Sequence, residues 1–260
     1  MVQSLSRRSP FSIPPLENGD RLSRLEFERR YAAMPESCKA ELIEGLVYMA
    51  AAIRLNSHAK PHSQLNHWIS NYAISISGTI VGDAPSVQLD DDNEPQPDIV
   101  LLWDSDHEGQ TRITEDDYIE GPPELVAEIS ASTVSIDLGA KKRAYERNDI
   151  QEYLVWRVLD GEFDWFVLED GKYIDLVADT DGITRSRIFP GLWLDRSALL
   201  AGEMKRVLAV GNDGLLSIEF QDASKPQHGY GSWKRKIIMS NDFDEPLEDS
   251  SIPNLNLLGD

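Results

Sequence analysis

The sequence predicts a mixed α/β domain, a sheet flanked by helices with a hairpin extension, and three observations carry that expectation. Two short, almost wholly apolar runs, Ile99–Trp103 (IVLLW) and residues 125–129 (LVAEI), have the composition of central strands covered on both faces. A basic helical stretch, residues 135–149, follows the second run. Three further strand-like segments, at 152–159, 163–169 and 172–178, are separated by Asp160-Gly161 and Asp170-Gly171, dipeptides that suit tight hairpin turns. Helices interleaved with strands in this order favour one mixed sheet over separate layers.

The elements follow in chain order. Residues 1–20 are rich in Pro and Ser and lack any period, so they read as a flexible arm. After Ser23, the residues Leu25, Phe27 and Tyr31 suit a short amphipathic helix that Pro35 stops. Residues 41–50 (ELIEGLVYMA) read as two short strands with Gly45 at a turn or bulge. Between 58 and 72, Leu65, Trp68, Ile69 and Tyr72 recur on one helical face. Residues 79–89 read as a strand. The helix at 135–149 has Ser135 or Asp137 as its cap. A strand near 185–189 leads to Pro190-Gly191, and 199–208 reads as a closing helix. Trp156, Trp165 and Trp193 fall in strand-like or corner positions and read as core. The core domain is expected at 21–222, followed by a C-terminal extension, 223–260, with a basic cluster (Lys234, Arg235, Lys236) and an acidic tail.

Composition narrows the class. The 260 residues suffice for one substantial core, and 45 acids against 25 bases give a net charge of −20. Such a field repels phosphate and argues against a non-specific nucleic-acid or membrane binder. The charge is uneven, however. Residues 83–120 carry −12 and residues 241–260 carry −6, leaving −2 elsewhere. Most of this acid reads as solvated loop and tail. The single cysteine, Cys38, excludes an intrachain disulfide framework and any Cys-based zinc cluster. No apolar run approaches the roughly 18 residues of a membrane span, and no apolar signal core opens the chain, so a soluble, cytoplasmic protein is expected.

Five positions stand out chemically. Asp98 follows Pro97 at the edge of one apolar run, and Glu128 lies inside the next, where a charge is costly unless paired or bound to a cation. Two carboxylates on neighbouring strands can converge on one Mg²⁺. Asp137, Lys141 and Tyr145 recur every four residues and so share one helix face, from which the lysine can position a water or neutralise charge. The alternative is structural: Asp98 caps a turn, Glu128 pairs with an arginine, and Lys141 is solvated.

At these residues the sequence resembles the Uma2 family of restriction-endonuclease-like proteins, part of the PD-(D/E)XK nuclease superfamily. The resemblance spans about 22–208 and rests on ELIEG, a helix bearing His62, QPDIVLL, ELVAEISAST, the DxxxKxxxY spacing at Asp137, Lys141 and Tyr145, and FPGLWLD. It implies a restriction-endonuclease-like fold and Mg²⁺-dependent hydrolysis of DNA, with Mn²⁺ as a substitute. Carried over, Asp98 and Glu128 are the metal carboxylates and the Ile129 carbonyl a third donor. Glu44, ahead of Glu41, is the acid from the N-terminal unit, and His62 is a supporting residue. The third position of the ExK pattern holds Ser130 in place of Lys, which moves the lysine role to Lys141. Cleavage of both strands would suit a homodimer. A catalytically silent binding or regulatory module, or a phosphoesterase acting on RNA or a small nucleotide, would use the same residues.

Overall fold

The computed structural model describes residues 13–35, 37–50 and 52–224. The chain divides into two units, Met1–Glu219 and Phe220–Asp260, and of the second only the end of one helix is described. Helix α1 (Arg24–Tyr31) packs against a hairpin of strands β1 (Ala40–Ile43) and β2 (Leu46–Met49). Glu44 and Gly45 form its turn, both at positive φ (49° and 74°), the geometry that a glycine at the second position makes cheap. Leu16 is buried with Phe27, Leu42 and Val47, and the Gly19 amide donates to the Val47 carbonyl at 2.8 Å. The end of the expected arm is therefore anchored at Leu16 and Gly19, Ile13 is exposed, and residues 1–12 lie outside the described residues. So do the Lys234–Lys236 cluster and the acidic tail.

Helix α2 (Lys60–Ser75) is entered through a π-turn, Leu55–Ala59, and buries Leu65, Trp68, Ile69 and Tyr72 as their period predicts. Strand β3 (Thr79–Asp83) is shorter than the expected 79–89. The backbone breaks at Ala84, whose φ is 51°, and Pro85 then has no amide to continue a ladder. The chain resumes as β4 (Val87–Gln88), which joins a small separate sheet. Strand β5 (Ile99–Trp103) returns to the main sheet, β6 (Arg112–Ile113) and β7 (Ile119–Glu120) pair in the small one, and β8 (Leu125–Ser130) is wholly buried. A helical run then crosses over: α3 (Val134–Ile136), a π-turn at Asp137–Lys141, and α4 (Lys142–Arg147).

Strands β9 (Glu152–Arg157), β10 (Glu162–Glu169) and β11 (Lys172–Asp175) follow through the two Asp-Gly turns. They are the expected hairpin extension, built as part of the main sheet. The main sheet has the order β11-β10-β9-β8-β5-β3, so the hairpins widen it. Within this sheet only β8 and β9 pair in parallel, as the intervening crossover requires. The strand expected at 185–189 is just β12 (Thr184–Arg185), paired with β13 (Trp193–Leu194). The expected closing helix is two, α5 (Arg196–Leu200) and α6 (Met204–Ser224), divided at Gly202, whose φ is 75°. No described helix is long and apolar enough to cross a membrane.

The sheet separates two cores. Ile99, Leu101, Leu125, Ala127, Ile129 and Leu154 face α2, together with the buried Trp156 and Trp165. Trp193 is only half-buried, with the Arg185 guanidinium 4.3 Å above its ring. Val100, Val126, Tyr153 and Val155 face the crossover run through Tyr145 and Ile150. Alternation along β5 and β8 places Asp98 and Glu128 on this second face.

Candidate active site

Strands β5 and β8 pair antiparallel with Ile99 opposite Ala127. Continuing that register by one residue sets Asp98 opposite Glu128. The Asp98 carboxylate reaches across: its Oδ2 accepts from the Ile129 amide at 2.7 Å. Two carboxylates are thus held side by side at the end of the buried strand pair. Glu128 is 4% exposed, and its burial is possible because polar partners converge on it.

Those partners come from the crossover run. The Lys141 ammonium donates to Glu128 Oε1 at 3.0 Å, and the Tyr145 hydroxyl donates to the same oxygen at 2.9 Å. Lys141 Nζ also lies 2.9 Å from Glu41 Oε2 and 4.0 Å from Asp137 Oδ1. Asp137 is fixed in turn by the Thr133 hydroxyl, which donates to its Oδ2 at 2.6 Å, while the Tyr153 hydroxyl donates to its main-chain carbonyl at 3.0 Å. Asp137, Lys141 and Tyr145 therefore do face one centre. The π-turn at Asp137–Lys141 adjusts the phase of the first two, a distortion common at functional sites.

The fourth contributor is the entry to α2. His58 Nε2 lies 3.2 Å from Asp98 Oδ1, and His62 Nε2 lies 3.1 Å from the Asp98 carbonyl and 3.3 Å from Asp83 Oδ1. The two rings are stacked, 5.9 Å between centroids. Nothing in the sequence pattern had marked His58, although its i, i+4 spacing from His62 was the available signal. Ser130 is buried on the same strand face as Glu128, its hydroxyl 3.4 Å from that of Thr133. Ile129 turns its side chain into the opposite core.

The N-terminal acid requires a correction. Glu44 sits in the β1–β2 turn and points outward, forming a bidentate pair with Arg143 at 2.6 and 3.1 Å. Glu41, inside β1, is the acid that reaches Lys141. Mutual hydrogen bonds between Leu42 and Glu94 tie the hairpin to the loop leading into β5 and so hold Glu41 there.

Four carboxylates, Glu41, Asp98, Glu128 and Asp137, surround one lysine. Burial pushes the Glu128 carboxyl well above its usual value, and Asp137, Asp98 and Glu41 add to the rise against the opposing pull of Lys141. Burial works against the Lys141 ammonium, but Glu128, Glu41 and Asp137 outweigh it and hold the amine well above the usual lysine range. Lys141 is held as an ammonium by the acids around it. Burial also opposes ionisation of Asp98, yet the contact with His58 and the Ile129 amide keep its carboxyl below the usual value. His58 is raised by the same contact.

This donor set fits a hard divalent cation in its chemistry. It is oxygen-rich, and both contacts to Glu128 use Oε1, leaving Oε2 outside them. Among the described residues, no group of three or more His, Cys, Asp or Glu side chains is placed to hold a metal ion. A two-carboxylate site completed by water needs no third.

Comparison with known proteins bears on the fold and the family. No curated protein matches the chain. Among solved structures, it resembles one titled as "a putative nuclease belonging to DUF820" from Anabaena variabilis, with a TM-score of 0.54 at 14% identity, covering 66% of this chain and 96% of that one. That likeness shows a shared mixed α/β fold. The profile of the Uma2 family, described as "Putative restriction endonuclease", matches residues 25–197, and the chain belongs to that family.

Proposed function

We propose that the protein is a metal-dependent endonuclease that hydrolyses DNA phosphodiester bonds at the Asp98–Glu128–Lys141 cluster. One observation carries this reading: the register sets two strand-end carboxylates, Asp98 and Glu128, opposite each other, and the buried Lys141 pairs with Glu128. Asp98 and Glu128 would hold Mg²⁺, or Mn²⁺ in its place, with the Ile129 carbonyl as a further donor. When bound, the cation supplies neutralisation of phosphate charge and a lowered pKa for attacking water.

The chain's own residues supply orientation and charge. Tyr145 fixes the rotamer of Glu128 by donating to Oε1. Lys141, held as an ammonium, does not abstract a proton from water. It donates hydrogen bonds to the attacking water or to a phosphate oxygen and offsets charge that develops on it. Glu41 and Asp137 hold the ammonium in place, so Ser130 at the third ExK position leaves no chemical gap. A homodimer would present two such sites to the two strands of a duplex.

The reading is tested by incubating purified protein with supercoiled, branched and single-stranded DNA in Mg²⁺ or Mn²⁺. Cleavage by the wild type, lost in Asp98→Asn and Glu128→Gln, supports it. No cleavage of any substrate, with equal metal binding by wild type and Asp98→Asn, overturns it. A second reading, a silent binding module, is favoured by one feature: the Lys141 ammonium is already engaged by Glu128 and Glu41. It predicts DNA binding that is unchanged by either substitution.

A further inference from the structure

We propose that Ile53, Arg54 and Leu55 form a rim that grips DNA beside the site, with Arg54 on a phosphate and the two aliphatics on deoxyribose and base edges. This rests on the nuclease reading above and names how the chain holds its substrate.

Access is the first argument. The side chains of Lys141, Glu128 and Asp137 are 6%, 6% and 4% exposed, so the cluster is closed on their side. Those of His58, Asp98 and Glu41 are 27%, 18% and 18% exposed, and the cluster meets solvent along the edge they line. The connection from β2 to α2 leads from the hairpin that carries Glu41 to the π-turn that carries His58. Within it, the Arg54 carbonyl accepts from the His58 amide at 3.1 Å and the Ala59 amide at 3.0 Å. Arg54 is thus fixed one turn ahead of the residue that touches Asp98.

Charge is the second argument. This edge is acidic, with Glu41, Asp98 and the exposed Asp83 beside His62, and a DNA phosphate needs a cation there. The neighbouring bases are already taken: Lys141 by Glu128 and Glu41, Arg143 by Glu44, and Arg147 by Asp90. Arg54 is exposed and forms no ion pair among the described residues. Its guanidinium presents a planar fork that matches two phosphate oxygens.

The third argument is the pair of aliphatics on either side of it. Ile53 and Leu55 are each 70% exposed. The backbone at Arg54 is extended, with φ −102° and ψ 140°, so its two neighbours project to one side and its own side chain to the other. Exposed isoleucine and leucine next to a cation suit the sugar and base edges of a groove, where such side chains pack or wedge between base steps. A purely apolar partner would leave Arg54 without a counter-charge.

The test is fluorescence anisotropy of a labelled DNA duplex with the full-length protein, Ca²⁺ replacing Mg²⁺ to hold back cleavage, over a series of salt concentrations. Arg54→Gln should weaken binding about fivefold or more and reduce the log–log salt slope by about one, and Arg54→Lys should regain most of the loss. The double substitution Ile53→Ser, Leu55→Ser should weaken binding about fivefold with the slope unchanged. Lys60, an exposed base about half a turn round the helix from His58, is the control, and Lys60→Gln should change affinity less than about twofold. All of these side chains are exposed, so each variant should fold. Wild-type binding by Arg54→Gln, or equal losses in Arg54→Gln and Lys60→Gln, overturns the rim and leaves the cleavage reading standing. Binding that depends on Arg54 in a protein that cuts no DNA supports the rim and overturns the cleavage reading. Self-association lost in the double variant, with DNA binding intact, assigns the aliphatic pair to a second copy and overturns the rim. No DNA binding by the wild type overturns both readings.

Discussion

Two buried glutamates lie on opposite faces of the same sheet, and their surroundings differ. Glu152 opens β9 on the α2 side and takes only neutral donors: Trp165 Nε1 at 3.2 Å, the Ser186 hydroxyl at 2.8 Å and the Arg187 amide at 2.7 Å. Glu128 closes β8 on the crossover side among Lys141, Tyr145 and three further acids. Burial raises both carboxyls. Glu152 organises the 186–189 corner, where every donor is matched and nothing is left over. The Glu128 face instead gathers four carboxylates around Lys141 and His58. Full burial of a carboxylate is thus no sign of function by itself; a coupled cluster of ionisable groups is.

The largest effect that separates the two faces should come from Lys141→Met. Removing the buried ammonium that Glu128 and Glu41 contact is expected to cost about 3–5 kcal/mol at pH 7. The variant should regain part of that loss on acidification, because the stranded acids can then take up protons. Urea unfolding at pH 7 and pH 5 measures both. Equal losses at the two values would mean that Lys141 acts through packing alone.

Next in size is Glu152→Ala, which strands three buried donors and should cost about 3 kcal/mol. Its metal affinity should be that of the wild type, since nothing on that face reaches Asp98. A chemical melt paired with Mn²⁺ calorimetry reads both quantities.

A smaller effect is expected from His58→Ala, and it should depend on pH. The raised His58 contributes stability that is present below its unfolded value of 6.5 and is lost as pH rises through its folded value. The lowered Asp98 contributes above its unfolded value of 3.8 and loses it as pH falls through its folded one. The difference between wild type and variant should therefore be greatest at mildly acidic pH and shrink on the alkaline side. A flat difference would show that the two groups are not coupled.

Glu44→Gln should change least. Its partner Arg143 is exposed, so the pair is screened, and neither cleavage nor the melting temperature should move measurably. Glu41→Gln, three residues earlier, should reduce cleavage if Glu41 holds Lys141 in place.

The sheet was legible in the sequence because its signals are local. Apolar runs at 99–103 and 125–129, Asp-Gly turns and the period of α2 each follow from burial or backbone geometry within a few residues. The break at Ala84 was not, because a non-glycine residue at positive φ is imposed by what surrounds it. Glu128 and Lys141 were legible as a charge in an apolar strand and a spacing on a helix. Choosing Glu44 over Glu41 failed because the turn claims both Glu44 and Gly45, turning Glu44 toward Arg143. His58 was not legible because its contact with Asp98 is a tertiary one, forty residues away in the chain.

The most direct measurement of the central claim is a calorimetric Mn²⁺ titration of wild type, Glu128→Gln and Glu152→Gln, each first shown to be folded. The account predicts one site in the wild type, unchanged in Glu152→Gln and weakened about tenfold or more in Glu128→Gln. Equal affinity in all three proteins would contradict it.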